Sequence, residues 1–361
     1  MKTGKELTSS RKSIFWTVVL VLAIGLTVNI IISFIFDINE IIAVLKSVDY
    51  KVLLYPFLIF SVIYVIDTVR LKLITSQMEI DITLGDAVYN SIVGYFVSNL
   101  TPMASGGQPF QAYHLTTVGV NSEDATNIFM SRFTEFLIFS TATVLIFLRT
   151  ILSLLRISGG IASKFIILGL IVAASTVLIF GLLLWKPRVL YHLLAFVDRT
   201  FMGKLLRKIL KKDELLQSFE QWVNKFEKSI TFLWSKKFFF ILIDLLLGGA
   251  VIFFQALSLY VVLNIVGGIT IGLWELFLLF LTLNLVVYYV PSPGASGSVE
   301  GVYNLVLSGL AFNSSKVVAG VIIWRFATFY FHIFFEIVYL IIYNFWRKSS
   351  NAENSSACSD V

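Results

Sequence analysis

Residues 101–107 read Thr-Pro-Met-Ala-Ser-Gly-Gly and interrupt an otherwise apolar stretch, residues 83–120. Residues 292–298 read Ser-Pro-Gly-Ala-Ser-Gly-Ser and interrupt a second apolar stretch, residues 271–312. Both follow one pattern: Thr or Ser, Pro, any residue, Ala, Ser, Gly, then Gly or Ser. We call residues 101–107 tip 1 and residues 292–298 tip 2. The shared pattern indicates an internal duplication.

A second motif follows each tip at nearly the same distance. Arg-Phe-x-x-Phe begins at Arg132, thirty residues after Pro102, and again at Arg325, thirty-two residues after Pro293. Two matching motifs at similar spacing are not expected from the mere recurrence of small residues in membrane helices. We therefore predict two repeats, at about residues 51–148 and 238–346, within a single membrane domain.

The composition predicts a membrane protein. Of 361 residues, 57% are hydrophobic and 14% are charged, and the mean hydropathy is +0.87, whereas soluble domains average about 45–50% apolar and about 25% charged residues. A spanning helix needs about 20 mostly apolar residues. Six segments satisfy this: 14–36, 51–72, 125–148, 162–185, 238–262 and 314–346. We expect an all-α integral membrane protein with about six full spans plus two re-entrant helical hairpins.

The basic residues predict the orientation. With the N-terminus inside, the cytoplasmic pieces carry 20 of the 28 Lys and Arg residues and the outer pieces carry five, which fits the positive-inside rule. Both termini are then cytoplasmic, in an inner membrane. Residues 186–237 form a basic, amphipathic cytoplasmic segment, which we expect to lie on lipid headgroups rather than on nucleic acid.

The same orientation predicts that the two hairpins are inverted. Residues 83–120 begin and end on the cytoplasmic side, whereas residues 271–312 begin and end outside. Inverted repeats with helices broken near the middle of the membrane are typical of transporters. Non-helical backbone at that depth is tolerated only where protein or a wet cavity satisfies it, so the tips are expected to meet at a central cavity.

The residues around the tips predict an anion site. Helix N-termini attract phosphate, and Arg forms paired hydrogen bonds with phosphate oxygens. We expect Arg132 and Arg325 to bind the phosphate; in the alternative interpretation each neutralises a glutamate, Glu135 or Glu336. Further substrate-binding candidates are Ser105, Gly106, Gly107, Gln108, Gln111, Ser296, Gly297 and Ser298. Candidates for coupling or ion pairing are Glu135, Asp244, Glu300, His332 and Glu336.

The remaining polar residues are not assigned to substrate binding or coupling. Asp67 and Arg70, near the end of their span, are interpreted as an interfacial ion pair. The single cysteine, Cys358, and three scattered histidines predict no metal or cofactor site. Nucleophile, zinc and nucleotide motifs are absent from the sequence, so we predict that the protein is not an enzyme.

The tip motifs also resemble a known family. Residues 99–113, the Arg132 element, and residues 291–297 followed by Glu300 and Gly301 are similar to the lysylphosphatidylglycerol synthase transmembrane region, also called flippase-like. The resemblance covers nearly all of residues 14–346 and implies a domain that moves aminoacylated phosphatidylglycerol across the bilayer. Full synthases add a cytoplasmic acyltransferase domain. Here the chain continues for 15 residues after Trp346, so lysyl transfer is not expected. Many relatives have an acid and an arginine at the positions of Gln108 and Gln111.

We therefore expect a flippase that moves an anionic phospholipid or a polyprenyl-phosphate type of lipid by alternating access. Two alternatives remain open. One is an ion-coupled carrier of a small anion. The other is the membrane module of a phosphatidylglycerol lysyltransferase-type system, with a separate lipid-modifying enzyme as its partner.

Overall fold

The fold is helical throughout the part of the chain that is described. The computed structural model describes residues 17–158, 160–200, 215–287, 289, 290, 292 and 294–357, except residues 22, 26, 29, 33 and 36. Within these residues the only strand-like pairing is an isolated bridge between Ile269 and Ala311. Pro291, Pro293 and part of the predicted amphipathic segment (residues 201–214) lie outside the described residues.

The helices follow one another with short connections. Before tip 1 they are α1 (Thr17–Ile32), α2 (Ile38–Ser47), α3 (Lys51–Gln77) and α4 (Leu84–Leu100). Between the tips they are α5 (Gly107–Thr117), α6 (Ser122–Ile146), α7 (Leu148–Ser158), α8 (Gly160–Trp185), α9 (Arg188–Asp198), α10 (Leu215–Thr231), α11 (Phe238–Val266) and α12 (Leu273–Val287). After tip 2 they are α13 (Ser298–Ser308), α14 (Ser314–Arg325) and α15 (Phe331–Ala357). Two π-helical turns, Phe232–Lys236 and Phe326–Tyr330, precede α11 and α15.

Several helices are long and apolar enough to cross a membrane. Four meet this description: α3, α6, α11 and the continuous helix Ser314–Trp346. A fifth would be the bent pair Gly169–Trp185 and Arg188–Asp198, whose parts meet at 97°. The all-helical membrane protein predicted from composition is thus confirmed. Of the six predicted spans, 162–185 falls within α8, and 14–36 begins outside the described residues.

The surface of these helices fits a lipid environment. Large apolar side chains remain exposed along their outer faces, including Val65 on α3 (64%) and Leu178 on α8 (74%). Extensive exposed apolar surface is rare on soluble monomers. Trp185 and Trp346, near the ends of predicted spans, are also exposed, as expected for residues at a membrane interface.

The hairpins and two central helices position the site. α4 leads into tip 1 and α5 leaves it; α12 leads into tip 2 and α13 leaves it. α5 and α13 both have 11 residues, or about 16 Å of helix, about half of the roughly 30 Å needed to cross the hydrocarbon. α3 and α11 pack along each other beside the hairpins.

Capping side chains explain where the first hairpin begins and where the second one ends. Thr83 precedes α4, and its hydroxyl accepts a hydrogen bond from the Asp86 amide at 3.0 Å. Asn313 precedes α14, and its side chain accepts one from the Lys316 amide at 2.9 Å. Such caps satisfy N–H groups that have no partner within the helix.

Candidate functional site

Tips 1 and 2 contact each other through their backbones. The Met103 amide donates to the Ser292 carbonyl at 3.2 Å, and the Gly294 amide donates to the Thr101 carbonyl at 3.1 Å. In each tip the amide donor directly follows the proline of the shared motif, and the carbonyl acceptor directly precedes it. The junction is therefore reciprocal, since equivalent positions act in both directions.

Close approach at this junction requires a glycine in tip 2. Gly294 has φ +56°, and a Cβ atom there would lie 2.3 Å from the Asn99 carbonyl oxygen and 3.0 Å from the Phe329 ring. A side chain at this position would collide with the backbone of α4, which cannot move aside as a flexible side chain could. Glycine at this position allows the backbones of the two tips to hydrogen-bond.

Tip 1 is open. The Thr101 hydroxyl accepts a hydrogen bond from the Gly106 amide at 2.9 Å, and Gly107 packs so tightly that its Cβ position lies 2.8 Å from the Gly94 carbonyl oxygen. Ser105 and Gln108, in contrast, are exposed. The first turn of α5, whose amides precede the intrahelical hydrogen bonds, thus begins at an accessible polar surface.

Tip 2 is closed by its neighbours. Ser296 is 1% exposed, and its hydroxyl donates to the Val21 carbonyl of α1 at 3.4 Å. The hydroxyls of Ser292 and Ser298 lie 3.2 Å apart. The Gly297 amide donates to Glu300 at 2.7 Å, so the start of α13 carries a carboxylate of its own.

Arg325 completes this arrangement. Its Nε donates to Glu300 Oε1 at 2.9 Å, while Gly297 uses the other oxygen of the same carboxylate. The guanidinium carbon lies 4.0 Å from the centre of the Phe329 ring. Arg325 is 6% exposed, and its Nη2 has no hydrogen-bond partner among the described residues. Tip 2 therefore has a buried cation with spare donor capacity.

A second buried cluster joins α3, α6 and α11, and Arg70 lies at its centre. Its Nε and Nη2 donate to the two oxygens of Asp244 at 2.9 and 3.0 Å, and its Nη1 donates to Asp67 at 3.0 Å. Glu135 lies 3.6 Å from Nη2. The predicted ion pair between Asp67 and Arg70 is present, but it is buried, since both residues are 8% exposed and Arg70 also pairs with Asp244 of α11.

Arg132 belongs to the same cluster. Its Nε lies 3.6 Å from Asp244, and its Nη2 donates to the Asp67 carbonyl at 3.3 Å. Among the described residues it bonds to neither tip, and Glu135 instead pairs with Arg70. The structure thus places Arg132 in the α3–α6–α11 cluster and Arg325 at tip 2. The cluster holds three carboxylates and two guanidinium groups.

His332 and Glu336 belong neither to the arrangement at tip 2 nor to the α3–α6–α11 cluster. Tyr64 donates to Glu336 at 2.8 Å, its oxygen lies 3.0 Å from His332 Nδ1, and Asn99 donates to Glu336 at 3.4 Å. On an ideal helix, with about 100° per residue, both residues would share a face with Arg325, but in the structure their partners differ from those of Arg325. The π-helical turn Phe326–Tyr330 separates them, and such turns change the angle between successive residues.

Comparison with known proteins identifies the family of this architecture. The family model "Lysylphosphatidylglycerol synthase TM region" matches residues 17–335. The chain belongs to this family. None of the curated proteins compared with the chain matched it. The matched region includes both tips, the three buried arginines (Arg70, Arg132 and Arg325) and His332, and ends one residue before Glu336.

In this member of the transmembrane-region family, two glutamines lie on α5 just after tip 1. Gln108 is exposed. Gln111 instead closes the hairpin: its side chain donates to the Asn90 carbonyl at 3.3 Å, and the Asn90 side chain donates to the Gln111 carbonyl at 2.9 Å. His114 also lies 3.1 Å from the Asn90 amide nitrogen. Gln108 is thus exposed at the start of α5, whereas Gln111 and His114 lie against Asn90 within the hairpin.

Three polar residues of the buried networks were not predicted from the sequence. They are Tyr64 and Asn99, both bonded to Glu336, and Tyr95, which donates to Asp67 at 2.6 Å. Tyr64 precedes Asp67 by three residues, which places both on one face of α3, so a signal was present for this residue. Tyr95 and Asn99 carry no comparable signal because tyrosine and asparagine also occur at membrane interfaces and helix ends.

Proposed function

We propose that this protein is a transporter that moves a phosphate-bearing lipid across the cytoplasmic membrane. Its family and its apolar helices establish a multi-pass membrane protein related to lipid handling. The finer proposal, transport of the lipid, rests on the geometry of the two tips. The arguments concern the arrangement of the repeats, the exposure of tip 1 and the donors at tip 2.

The reciprocal junction supports an inverted repeat. Two helices of equal length, α5 and α13, leave the tips, and both are too short to cross the bilayer. The tips bond through equivalent positions, Met103 to Ser292 and Gly294 to Thr101, as two copies related by a two-fold axis would. Together with the distribution of basic residues, this arrangement supports the proposal that both termini are cytoplasmic and that the hairpins enter from opposite faces. Movement of one repeat against the other would then provide alternating access.

The observation that carries the proposal is the open, polar surface of tip 1. Ser105 and Gln108 are exposed at the break between α4 and α5, which the proposal places within the membrane. Polar groups at this depth are costly in hydrocarbon, so water or a lipid headgroup must contact them. A headgroup entering at this surface would leave its acyl chains in the surrounding lipid, as a flippase requires.

The donors at tip 2 favour a phosphate on that headgroup. Arg325 is buried, and its Nη2 lacks a hydrogen-bond partner in the described part of the chain; guanidinium groups bind phosphate through paired hydrogen bonds. In this conformation Arg132 is engaged by Asp244 and the Asp67 carbonyl. We therefore assign the phosphate to Arg325 and retain Arg132 as a candidate in another conformation. Lipids of this class include anionic phospholipids and polyprenyl phosphates.

Transport can be tested with purified protein in liposomes. Phosphatidylglycerol carrying a fluorescent acyl chain is placed in both leaflets, and an impermeant reductant is added outside. We expect the protected inner fraction to be lost much faster than in protein-free liposomes, with or without an imposed proton or sodium gradient. A fluorescent glycolipid without a phosphate should move at the protein-free rate.

The same liposomes distinguish the competing function. Uptake of radiolabelled inorganic phosphate, without movement of the labelled lipid under any gradient, would contradict the flippase and support an ion-coupled carrier of a small anion. Equal movement of both fluorescent lipids would contradict the role of the phosphate.

A further inference from the structure

Glu300 occupies donors that a phosphate would need. One of its carboxylate oxygens accepts from the Gly297 amide at the start of α13, and the other accepts from Arg325. A helix N-terminal amide and a guanidinium group are both typical phosphate ligands. Glu300 is 0% exposed, so its negative charge is held inside the protein at tip 2.

Tip 1 shows that the turn does not need this carboxylate. The equivalent amide, that of Gly106, is satisfied by the neutral hydroxyl of Thr101 at 2.9 Å. The position equivalent to Glu300 in tip 1 is Pro109. The two tips share a backbone pattern, yet only tip 2 places an acid on its first helical turn.

Two buried polar side chains beside Glu300 have atoms that could bind another ligand. Arg325 Nη2 has no partner among the described residues. Asn304, four residues after Glu300 and therefore on the same face of α13, is 2% exposed, and neither its side-chain oxygen nor its nitrogen has a partner within the described chain. Buried polar groups normally find partners, so these donors and the acceptor favour a polar ligand next to the carboxylate.

We propose that Glu300 is an internal competitor of the substrate phosphate, which it replaces on Arg325 and Gly297 when the site is empty. This inference rests on the proposed lipid transport. Phosphate arriving at tip 2 displaces the Glu300 carboxylate from Arg325, and return of the carboxylate releases the phosphate. Arg325 thus has an anionic partner in both states, and the displaced Glu300 carboxylate takes up a proton or gains another partner, because an unpaired buried charge is costly. The exchange involves no covalent step.

Removing the charge of Glu300 tests the competition. In Glu300→Gln the side-chain oxygen can still accept from Gly297 but no longer neutralises Arg325. We expect full-length Glu300→Gln in detergent to bind dihexanoyl phosphatidylglycerol about tenfold or more tightly than the wild type by calorimetry, since a charge-assisted competitor is lost. Movement of the labelled lipid in liposomes should be slower, because the phosphate is no longer displaced.

A matched control separates this effect from simple helix capping. Glu275 Oε2 accepts from the Gly272 amide at 2.6 Å before α12, with the same three-residue spacing, but Glu275 is only half-buried and no ion pair with an arginine is found for it among the described residues. Glu275→Gln should bind the probe as the wild type does. Should Glu300→Gln not fold, Glu300→Asp is one methylene too short to reach both donors, and it should also bind more tightly than the wild type.

The outcomes separate the inference from the function on which it rests. Equal or weaker binding by folded Glu300→Gln, with lipid movement by the wild type, would overturn the competition alone. Absence of both binding and movement in the wild type and in Glu300→Gln would overturn the proposed transport and the inference with it. Binding by Glu300→Gln but not by the wild type would support the competition.

Discussion

Replacing Arg70 by glutamine is expected to lower the free energy of unfolding by about 3–5 kcal/mol, the usual cost of breaking a buried ion pair from one side. Arg70 contacts Asp244, Asp67 and Glu135 on three helices. Its loss leaves these three carboxylates with Arg132 alone, in a region with little exposure to water. The change in the free energy of unfolding can be measured by reversible unfolding in mixed micelles, in which a denaturing detergent is added to a mild one.

The matched control is Arg188→Gln. Arg188 also binds a carboxylate, that of Glu227 at 3.0 Å, but their side chains are 69% and 37% exposed. Exposed pairs contribute about 0–1 kcal/mol, so this variant should unfold nearly as the wild type does. Equal losses in both variants would contradict the account of the buried cluster. Asp244→Asn should cost less than Arg70→Gln because it leaves two carboxylates for two guanidinium groups.

Replacing Gly294 by alanine is expected to open the junction between the tips. The added Cβ would lie 2.3 Å from the Asn99 carbonyl oxygen, and the residue would keep a φ of +56°. Overpacking costs about 1–3 kcal/mol, and the left-handed conformation adds about 1–2 kcal/mol, so we expect a total loss of about 2–5 kcal/mol. Lipid movement in liposomes should fall as well, since the two tips can no longer bond through Met103 and Gly294.

Gly301→Ala provides the control for that substitution. Gly301 lies within α13, and a Cβ atom there meets nothing within 4 Å. Alanine favours helix by about 0.5–1 kcal/mol over glycine, so the variant should be as stable as the wild type or more stable. Wild-type stability in Gly294→Ala would show that the tips do not require the close approach at Asn99.

Much of the fold could be predicted from the sequence because the signals are local. Apolar length and composition predict the spans α3, α6 and α11, and the two Pro-x-Ala-Ser-Gly patterns predict where helices break. The predicted helix ends were less accurate: the span predicted at 51–72 continues to Gln77, and Arg70 within it is compensated by Asp67 of the same helix and by Asp244 of α11. Charge compensation by a partner in a distant helix has no local signal.

The candidate site was predicted only in part for the same reason. The tip motifs and the buried arginines are visible in the sequence, but their partners are set by tertiary structure. Arg325 binds Glu300 on α13 rather than Glu336, since a π-helical turn intervenes. π-helical turns depend on packing against neighbouring helices, so counting 100° per residue cannot predict them.

The rate at which Arg325→Gln moves labelled phosphatidylglycerol, compared with the wild type and with Arg188→Gln, tests the phosphate site at tip 2 most directly. Because Arg325→Gln leaves Glu300 buried without a cation, the double variant Arg325→Gln with Glu300→Gln is measured beside it. We expect both to lose about ten- to hundredfold of the protein-dependent rate, corresponding to one charge-assisted hydrogen bond, while Arg188→Gln retains it. Wild-type rates in folded Arg325→Gln and in the double variant would contradict the account.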